Sequence, residues 1–204
     1  MTLPKTENNS EKLNAEFWSN RYLSGNTGWD MGKVSPPIKE YSDQLKDMNA
    51  RILIPGCGNA YEAEYLSNKG FKYITLLDIS EVLIKSLSNK FSGNENVTLL
   101  TQDFFDHSGK YDLIIEQTFF CSLDPEMRTA YVLKMSELLN PGGKIAGVLF
   151  NREFDKEGPP FGGTEDEYKK LFSGHFEIRV LENCYNSAVP RNGSEVFINL
   201  MRKK

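Results

Sequence analysis

The sequence predicts an α/β fold built on a parallel sheet with crossover helices, and three observations predict it. Short runs rich in Leu, Ile and Val alternate with helix-patterned segments, the sign of strands joined by crossover helices. The first five runs are almost continuously apolar, as strands buried on both faces must be. Capping and stop residues fall between the segments and not within them.

Taken in chain order, Glu11 to Leu23 reads as an aromatic-bearing helix, Ser24 to Gly32 as a turn-rich stretch, and Ser35-Pro36 as the cap of a second helix. This extension, residues 1–50, breaks the strand–helix alternation and is expected to pack as a helical cap onto one core domain spanning residues 1–204. Arg51 to Pro55, Tyr73 to Asp78, Val97 to Thr101, Tyr111 to Glu116 and Lys144 to Phe150 read as five strands. Asn59 to Lys69, stopped by Gly70, and a helix capped by Ser80 and running to about Phe91 connect the first three. A further helix starts with Asp124 at the N-cap and Pro125 in the first helical position, with Met127, Tyr131, Met135 and Leu138-Leu139 as its apolar stripe; Asn140-Pro141-Gly142-Gly143 is expected to end it. Thr164 and Glu167 form a capping box for a last helix toward Phe172. Phe176 to Leu181 and Val196 to Met201 then read as two strands joined antiparallel through Pro190 and Gly193.

Composition narrows the function classes. With 24 basic and 28 acidic residues the chain is slightly acidic, which argues against nucleic acid as a partner; the basic end, Arg202 to Lys204, reads as a solvated tail. Met1 to Ser10 lack the apolar stretch of a secretory signal and no window approaches a membrane span, so a cytoplasmic protein is expected. Cys57, Cys121 and Cys184 are an odd number without metal spacing, and His107 and His175 stand far apart, so neither a disulfide framework nor a metal centre is suggested. Nothing in the sequence points to a particular oligomeric state.

The chemistry-bearing residues lie at the ends of the first four strands. Gly56-Cys57-Gly58 follows strand one, where the chain must turn sharply and a ligand can approach the backbone. A dinucleotide fingerprint wants a third glycine at position 61, but Tyr61 stands there, which disfavours a pyrophosphate cofactor and with it a nicotinamide-dependent oxidoreductase. Alone the Gly-x-Gly is also compatible with a bare turn. Asp78, twenty residues beyond Gly58 at the end of strand two, can accept both hydroxyls of a ribose. Gln102-Asp103-Phe104-Phe105 after strand three offers polar groups beside aromatic rings, suited to an adenine base. Ligands of such sheets bind outside the carboxyl ends of the strands, so the three features together indicate a nucleoside site.

Leu53-Ile54-Pro55-Gly56-Cys57-Gly58, Asp78-Ile79-Ser80, Asp103-Phe104-Phe105 and Cys121-Ser122-Leu123-Asp124-Pro125-Glu126-Met127-Arg128 resemble the thiopurine methyltransferase superfamily. Trp29-Asp30-Met31-Gly32 and Gly158-Pro159-Pro160-Phe161 make the chain most similar to its thiol and halide methyltransferase branch. That resemblance implies a Rossmann-like class I methyltransferase: a seven-stranded, mostly parallel sheet with the last strand antiparallel, helices on both faces, and S-adenosylmethionine as methyl donor. It implies that Trp18, Trp29 and Gly56 line the methionine side of the cofactor, Asp78 the ribose, and Asp103 with Phe104 the adenine, with Tyr22, Gly58 and Ile79 as further cofactor-binding residues. Trp18, Tyr22, Phe120 and Phe161 are then candidates for the acceptor pocket, and Glu116 is expected to bind the cofactor, its amino group being preferred as partner over a structural hydrogen bond. Two departures stand out. Tyr22 replaces a second tryptophan of the plant enzymes, and Gln117 replaces the arginine that thiopurine enzymes carry after the acid.

The implied acceptor is a small thiol, bisulfide, thiocyanate or halide, with an aromatic thiol or thiopurine as the alternative; a module that holds the cofactor without catalysis is the bland competitor. Transfer from a sulfonium is an in-line displacement that needs alignment and dryness more than a base. A thiol is a few per cent thiolate at neutral pH and a halide needs no deprotonation, so no catalytic side chain is assigned. Cys121 reads as a buried small hydrophobe and not a nucleophile. Arg152 and Arg191 are equally compatible with drawing in an anionic acceptor and with solvated surface positions.

Overall fold

The computed structural model describes residues 13–203. Glu11, at the start of the expected first helix, and Lys204 lie outside them. The first described helix, α1 (Ala15–Leu23), begins where the Asn14 side chain accepts from the Phe17 N–H at 3.0 Å. Helix α2 (Pro36–Asp43) opens on two prolines that fix the backbone for its first turn.

Seven strands follow: β1 (Arg51–Pro55), β2 (Tyr73–Asp78), β3 (Val97–Thr101), β4 (Tyr111–Gln117), β5 (Leu139–Phe150), β6 (Phe176–Asn183) and β7 (Glu195–Arg202). They form one sheet in the order β3-β2-β1-β4-β5-β7-β6, parallel from β3 to β5, with β7 antiparallel to both β5 and β6. Helices α3 (Tyr61–Asn68), α4 (Glu81–Lys90), α5 (Arg128–Leu138) and α6 (Glu165–Phe172) complete the alternation. The expected strands are all present, and the sheet ends antiparallel as expected.

Strand alternation divides the core between two sheet faces. On β1, Ile52 and Ile54 pack with α2, α3 and α4 through Ile38, Ala63, Leu66, Leu83 and Leu87. Leu53 points the other way, into a cluster with Tyr131, Met135, Tyr168 and Phe172 from α5 and α6. Among the described residues no helix is long and apolar enough to cross a membrane.

Two boundaries differ from expectation. Asp124 does cap a helical turn, accepting from the Glu126 N–H at 2.9 Å, but Pro125–Met127 is a tighter 3₁₀ turn and α5 starts only at Arg128. Asn140-Pro141-Gly142-Gly143 is not a free turn: β5 already starts at Leu139, which pairs with Tyr111, and the next pairing is Lys144 with Leu113. The four residues are a bulge within the strand, because Pro141 holds Asn140 extended and Gly142, at φ 78°, takes up the surplus length. Nor is Arg202 a solvated tail residue; it ends β7 and its guanidinium donates to the Leu139 carbonyl.

Candidate functional site

The strand order reverses between β1 and β4, and such a switch point opens a crevice at the carboxyl edge of the sheet. A cavity of about 610 Å³ lies there. Its wall is formed by the residues that end successive strands: Gly56 and Gly58 after β1, Asp78 and Ile79 after β2, Gln102 and Asp103 after β3, and Gln117 and Thr118 after β4. Trp18, Tyr22 and Trp29 of the N-terminal extension close it from one side, and Phe104 joins Asp103 in the wall.

The β1 turn works by backbone conformation. Gly56 and Gly58 adopt φ 56° and 51°, values that L side chains rarely take. Gly56 has a second reason to lack a side chain, since a Cβ there would sit 2.4 Å from Cδ2 of Phe119. The ring of Phe119, arriving from beyond β4, therefore presses directly on the turn. Tyr61, in the place of a third glycine, opens α3 and its hydroxyl donates to Asp30 at 3.4 Å.

Asp78 is buried at the end of β2, with Oδ1 accepting from the Ser80 N–H at 2.9 Å. Burial pushes its carboxyl up to about 6, against the pull of the backbone N–H groups of Ser80, Gly58 and Ile79. Helix α1 reaches this corner through a Ser19–Ser80 hydroxyl hydrogen bond of 2.9 Å. Asp103 spends one oxygen on the Phe105 N–H at 2.7 Å, capping a 3₁₀ turn that presents Phe104 edge-on to Phe119.

The aromatic wall is preformed. Trp18 and Tyr22 each meet Trp29 in T-shaped contacts, at centroid distances of 5.6 and 5.7 Å, and the Arg21 guanidinium covers Trp29 at 4.9 Å. Burial pushes the Tyr22 hydroxyl well above its ordinary value, the charge of Asp78 adding to the effect, so it is a hydrogen-bond donor.

Sequence patterns did not reveal what fastens this wall. Asp30 accepts from the Gly32 N–H at 2.7 Å, the Asn59 amide and the Tyr61 hydroxyl, joining the Trp29 loop to the cofactor turn. The buried Glu62 carboxylate accepts from the Ser35 N–H at 3.0 Å. Arg191 is buried as well, ion-paired with Glu195 at 3.4 Å and donating to the Trp29 carbonyl at 2.7 Å. It is thus a latch between the β6–β7 connection and the cap, whereas Arg152 is exposed and lies at 4.8 Å over Phe154 on the rim. The one available signal was Asp30 two residues before Gly32, the spacing of an Asx turn.

Three expected site residues lie elsewhere. Phe120 is 1% exposed and packs among Tyr131, Tyr168 and Phe172, because the 3₁₀ turn after β4 aims it into the core; its neighbour Phe119 lines the cavity instead. Phe161 is also off the wall, its N–H bonded to the Cys121 carbonyl at 2.7 Å, and Pro159 and Pro160 line the cavity in its place. Glu116 is fully buried and not among the lining residues. Its Oε1 accepts from the Phe119 and Phe120 N–H groups at 2.8 and 2.9 Å, and Oε2 from the Tyr131 hydroxyl at 2.6 Å. The expectation that it meets the cofactor's amino group is therefore corrected: both oxygens are taken up by structural hydrogen bonds. Cys121 does line the cavity, but burial pushes its thiol far up and its Sγ donates to the Thr118 carbonyl at 3.2 Å, which suits a small hydrophobe.

A nucleoside-sized crevice with a glycine turn, a ribose-type acid and an aromatic cap has counterparts. The sequence model of thiopurine S-methyltransferase matches residues 13–203. A probable thiol methyltransferase 2 of Arabidopsis thaliana is 33% identical over 185 residues, covering 87% of this chain and 81% of its own length. The chain belongs to the thiopurine S-methyltransferase family. Another relative, thiocyanate methyltransferase 1 of Brassica oleracea, is 28% identical over the same shares of both chains. The crystal structure of the Burkholderia thailandensis 1,6-didemethyltoxoflavin-N1-methyltransferase, with bound 1,6-didemethyltoxoflavin and S-adenosylhomocysteine, superposes with TM-score 0.73 at 16% identity, covering 100% of this chain and 94% of that one. That likeness fixes the fold as the class I methyltransferase fold.

The family motif Asp124-Pro125-Glu126-Met127-Arg128 can now be read in this member. Arg128 is buried, pairs with Glu167 and donates to the Gly162 carbonyl at 2.5 Å, so it anchors the loop that carries Pro159 and Pro160. Asp124 and Met127 of the segment themselves line the cavity.

Proposed function

We propose that this methyltransferase moves the methyl group of S-adenosylmethionine onto a small soft nucleophile, a thiol, bisulfide, thiocyanate or halide, by in-line displacement. One observation carries the reading: residues at the ends of β3, β2 and β1 line a single crevice at the carboxyl edge of the sheet, an arrangement that suits the base, ribose and amino-acid parts of one cofactor, and no histidine is among its lining residues. Asp103 and Phe104 at β3 fit the adenine, Asp78 with Ile79 at β2 the ribose, and Gly56 and Gly58 at β1, beneath Trp18, Tyr22 and Trp29, the methionine part. The fit rests on Asp78, a buried carboxylate that two ribose hydroxyls would satisfy, and on the open backbone at Gly58, where even a Cβ would meet nothing closer than the Tyr22 hydroxyl at 3.9 Å.

When bound, the sulfonium supplies an electrophilic methyl carbon. The chain's residues align the partners, exclude water with the aromatic wall, and leave the proton of a thiol to solvent, since soft sulfur is already partly ionised at neutral pH. The described part of residues 1–50 acts in this reading as a cap over the methionine part of the crevice. Three buried free cysteines support a reducing, cytoplasmic setting. Methylation of an aromatic thiol or thiopurine is a second reading, favoured by the rings of Phe119 and Phe154 on the cavity wall.

Incubation of the protein with S-adenosylmethionine and, separately, iodide, thiocyanate, hydrosulfide and an aromatic thiol tests this. S-adenosylhomocysteine and a methylated product are expected with at least one of the first three, at a higher kcat/KM than with the aromatic thiol. Absence of turnover with every soft nucleophile sinks the proposal, and a preference for the aromatic thiol replaces it with the second reading. The cap is tested by Asp30→Ala, which removes a carboxylate that takes three donors. Binding of S-adenosylhomocysteine is expected to weaken by about tenfold in calorimetry, as loss of a charge-assisted contact of roughly 1.5 kcal/mol predicts. An unchanged affinity contradicts the cap's part in binding.

A further inference from the structure

Glu62 stands in the first turn of α3 and lines the crevice on the side where the function proposed above places the methionine part of the cofactor. It is 6% exposed. Its Oε1 accepts from the Ser35 N–H at 3.0 Å, which ties α3 to the cap of α2. Among the described residues the carboxylate takes no other hydrogen bond or ion pair from outside residue 62, yet Oε2 is not one of the fully enclosed polar atoms that lack a partner, so it reaches the crevice. A carboxylate so far removed from water is costly unless its second oxygen is also paired. The cations nearby are committed elsewhere. Arg191 donates to Glu195 and to the Trp29 carbonyl, and Lys90 is taken up by Glu64 and the Asn59 carbonyl. Burial pushes the Glu62 carboxyl above its ordinary value, against the pull of backbone N–H groups and of the Arg191 and Lys90 charges. The other acids on the wall have tasks of their own. Asp30 takes three donors from the chain, Asp103 holds the Phe105 N–H at the adenine end, Asp124 caps the turn before α5, and Asp78 is given the ribose.

We propose that Glu62 binds the ammonium group of the cofactor's methionine part through Oε2, with Oε1 kept on Ser35 as the brace that aims it. The inference rests on the placement of the methionine part beside Gly56 and Gly58. An ammonium brings a full charge and three donors to a desolvated carboxylate, the pairing in which a charge-assisted hydrogen bond is strongest. The cofactor's own carboxylate is turned away from α3 by like charge, so the amino-acid part has one orientation in the crevice. Glu62 takes no proton and touches no reacting atom; it is a binding residue that fixes how far along the crevice the sulfur sits, and hence where an acceptor meets the methyl group.

The test titrates S-adenosylhomocysteine and its deamino analogue, in which hydrogen replaces the amino group, into the wild-type protein and into Glu62→Gln. Neither ligand carries a sulfonium, so an effect of the charge falls on the ammonium. The glutamine keeps an acceptor for Ser35 and removes the charge. Wild type is expected to bind S-adenosylhomocysteine about tenfold or more tighter than the analogue, the worth of one charge-assisted hydrogen bond, and Glu62→Gln is expected to bring that ratio to within about threefold of one. Should Glu62→Gln fail to fold, Glu62→Asp, which draws the carboxylate back by one carbon, is expected to lower the same ratio. A purely structural role lowers both affinities together and leaves the ratio as it is, and that result overturns the inference. Equal wild-type affinities for the two ligands overturn it as well. Binding of neither ligand by the wild-type protein overturns the cofactor site itself, an outcome distinct from an unmoved ratio.

Discussion

Replacing Asp78 by alanine is expected to weaken S-adenosylhomocysteine binding by about 100-fold or more while leaving the protein folded. The reason is local. Asp78 closes β2 at the crevice, is 8% exposed, and is the acid to which the proposed function gives both ribose hydroxyls. Two hydrogen bonds to a charged acceptor, at roughly 1.5–3 kcal/mol each, correspond to that loss. Stability should move the other way. The carboxyl is pushed up to about 6 by burial, above its ordinary 3.8, so its contribution to folding is complete below about pH 4 and is lost as pH rises through 6. Asp78→Asn should therefore melt no lower than wild type at pH 8. Binding has the opposite sign, because the ribose hydroxyls donate to the ionised form. Wild-type affinity should be level above about pH 7 and fall toward tenfold per pH unit below 6, and Asp78→Asn should lack that decline. Calorimetric titrations from pH 5 to 8 check both arms; a flat wild-type profile or an undiminished affinity in Asp78→Ala contradicts the assignment.

The central strands β1, β2, β4 and β5 were legible because they are largely buried on both faces and so mostly apolar, whereas the edge strand β3, expected to be buried in the same way, is only partly covered; the strand ends were legible because glycine and acid are confined there by backbone geometry and solvation. Side-chain direction was not. Phe119 and Phe120 are adjacent and chemically identical, and which of them faces the cavity depends on the 3₁₀ turn after β4, which no period in the sequence announces. Gly56 was read correctly as a turn residue, but half its reason is the Phe119 ring, which arrives from far along the chain. Arg191 is a similar case. A lone arginine in a polar loop reads equally as solvated or as drawing in an anionic acceptor, and only the fold brings it to Glu195 and the Trp29 carbonyl. The Asn140-Pro141-Gly142-Gly143 bulge has the composition of a turn, and pairing with β4 decides otherwise.

Glu116 joins these observations, and its removal is expected to be the most destabilising single change at the site. Its two oxygens gather three donors, the N–H groups of Phe119 and Phe120 and the Tyr131 hydroxyl, in a fully buried position. Those contacts form the 3₁₀ turn that sends Phe120 into the core and Phe119 against Gly56. Glu116→Ala strands three buried donors and opens a cavity, a loss of about 3–5 kcal/mol, or about 10 °C or more in Tm for a chain of this size. Glu116→Gln keeps an acceptor for the two N–H groups and presents an NH₂ to the Tyr131 oxygen, so its cost should be markedly smaller. Burial pushes the Glu116 carboxyl up to about 7, above its ordinary 4.5, although all three donors pull it down. Wild-type Glu116 therefore stabilises most below about pH 4 to 5 and loses that advantage as pH rises through 7. The Tm gap between wild type and Glu116→Gln should narrow from pH 5 to pH 8, whereas the gap to Glu116→Ala should remain large at both, since the backbone donors are stranded at any pH. Equal melting of wild type and Glu116→Ala would show that the turn after β4 holds itself, and that Phe119 needs no carboxylate to reach the cofactor turn.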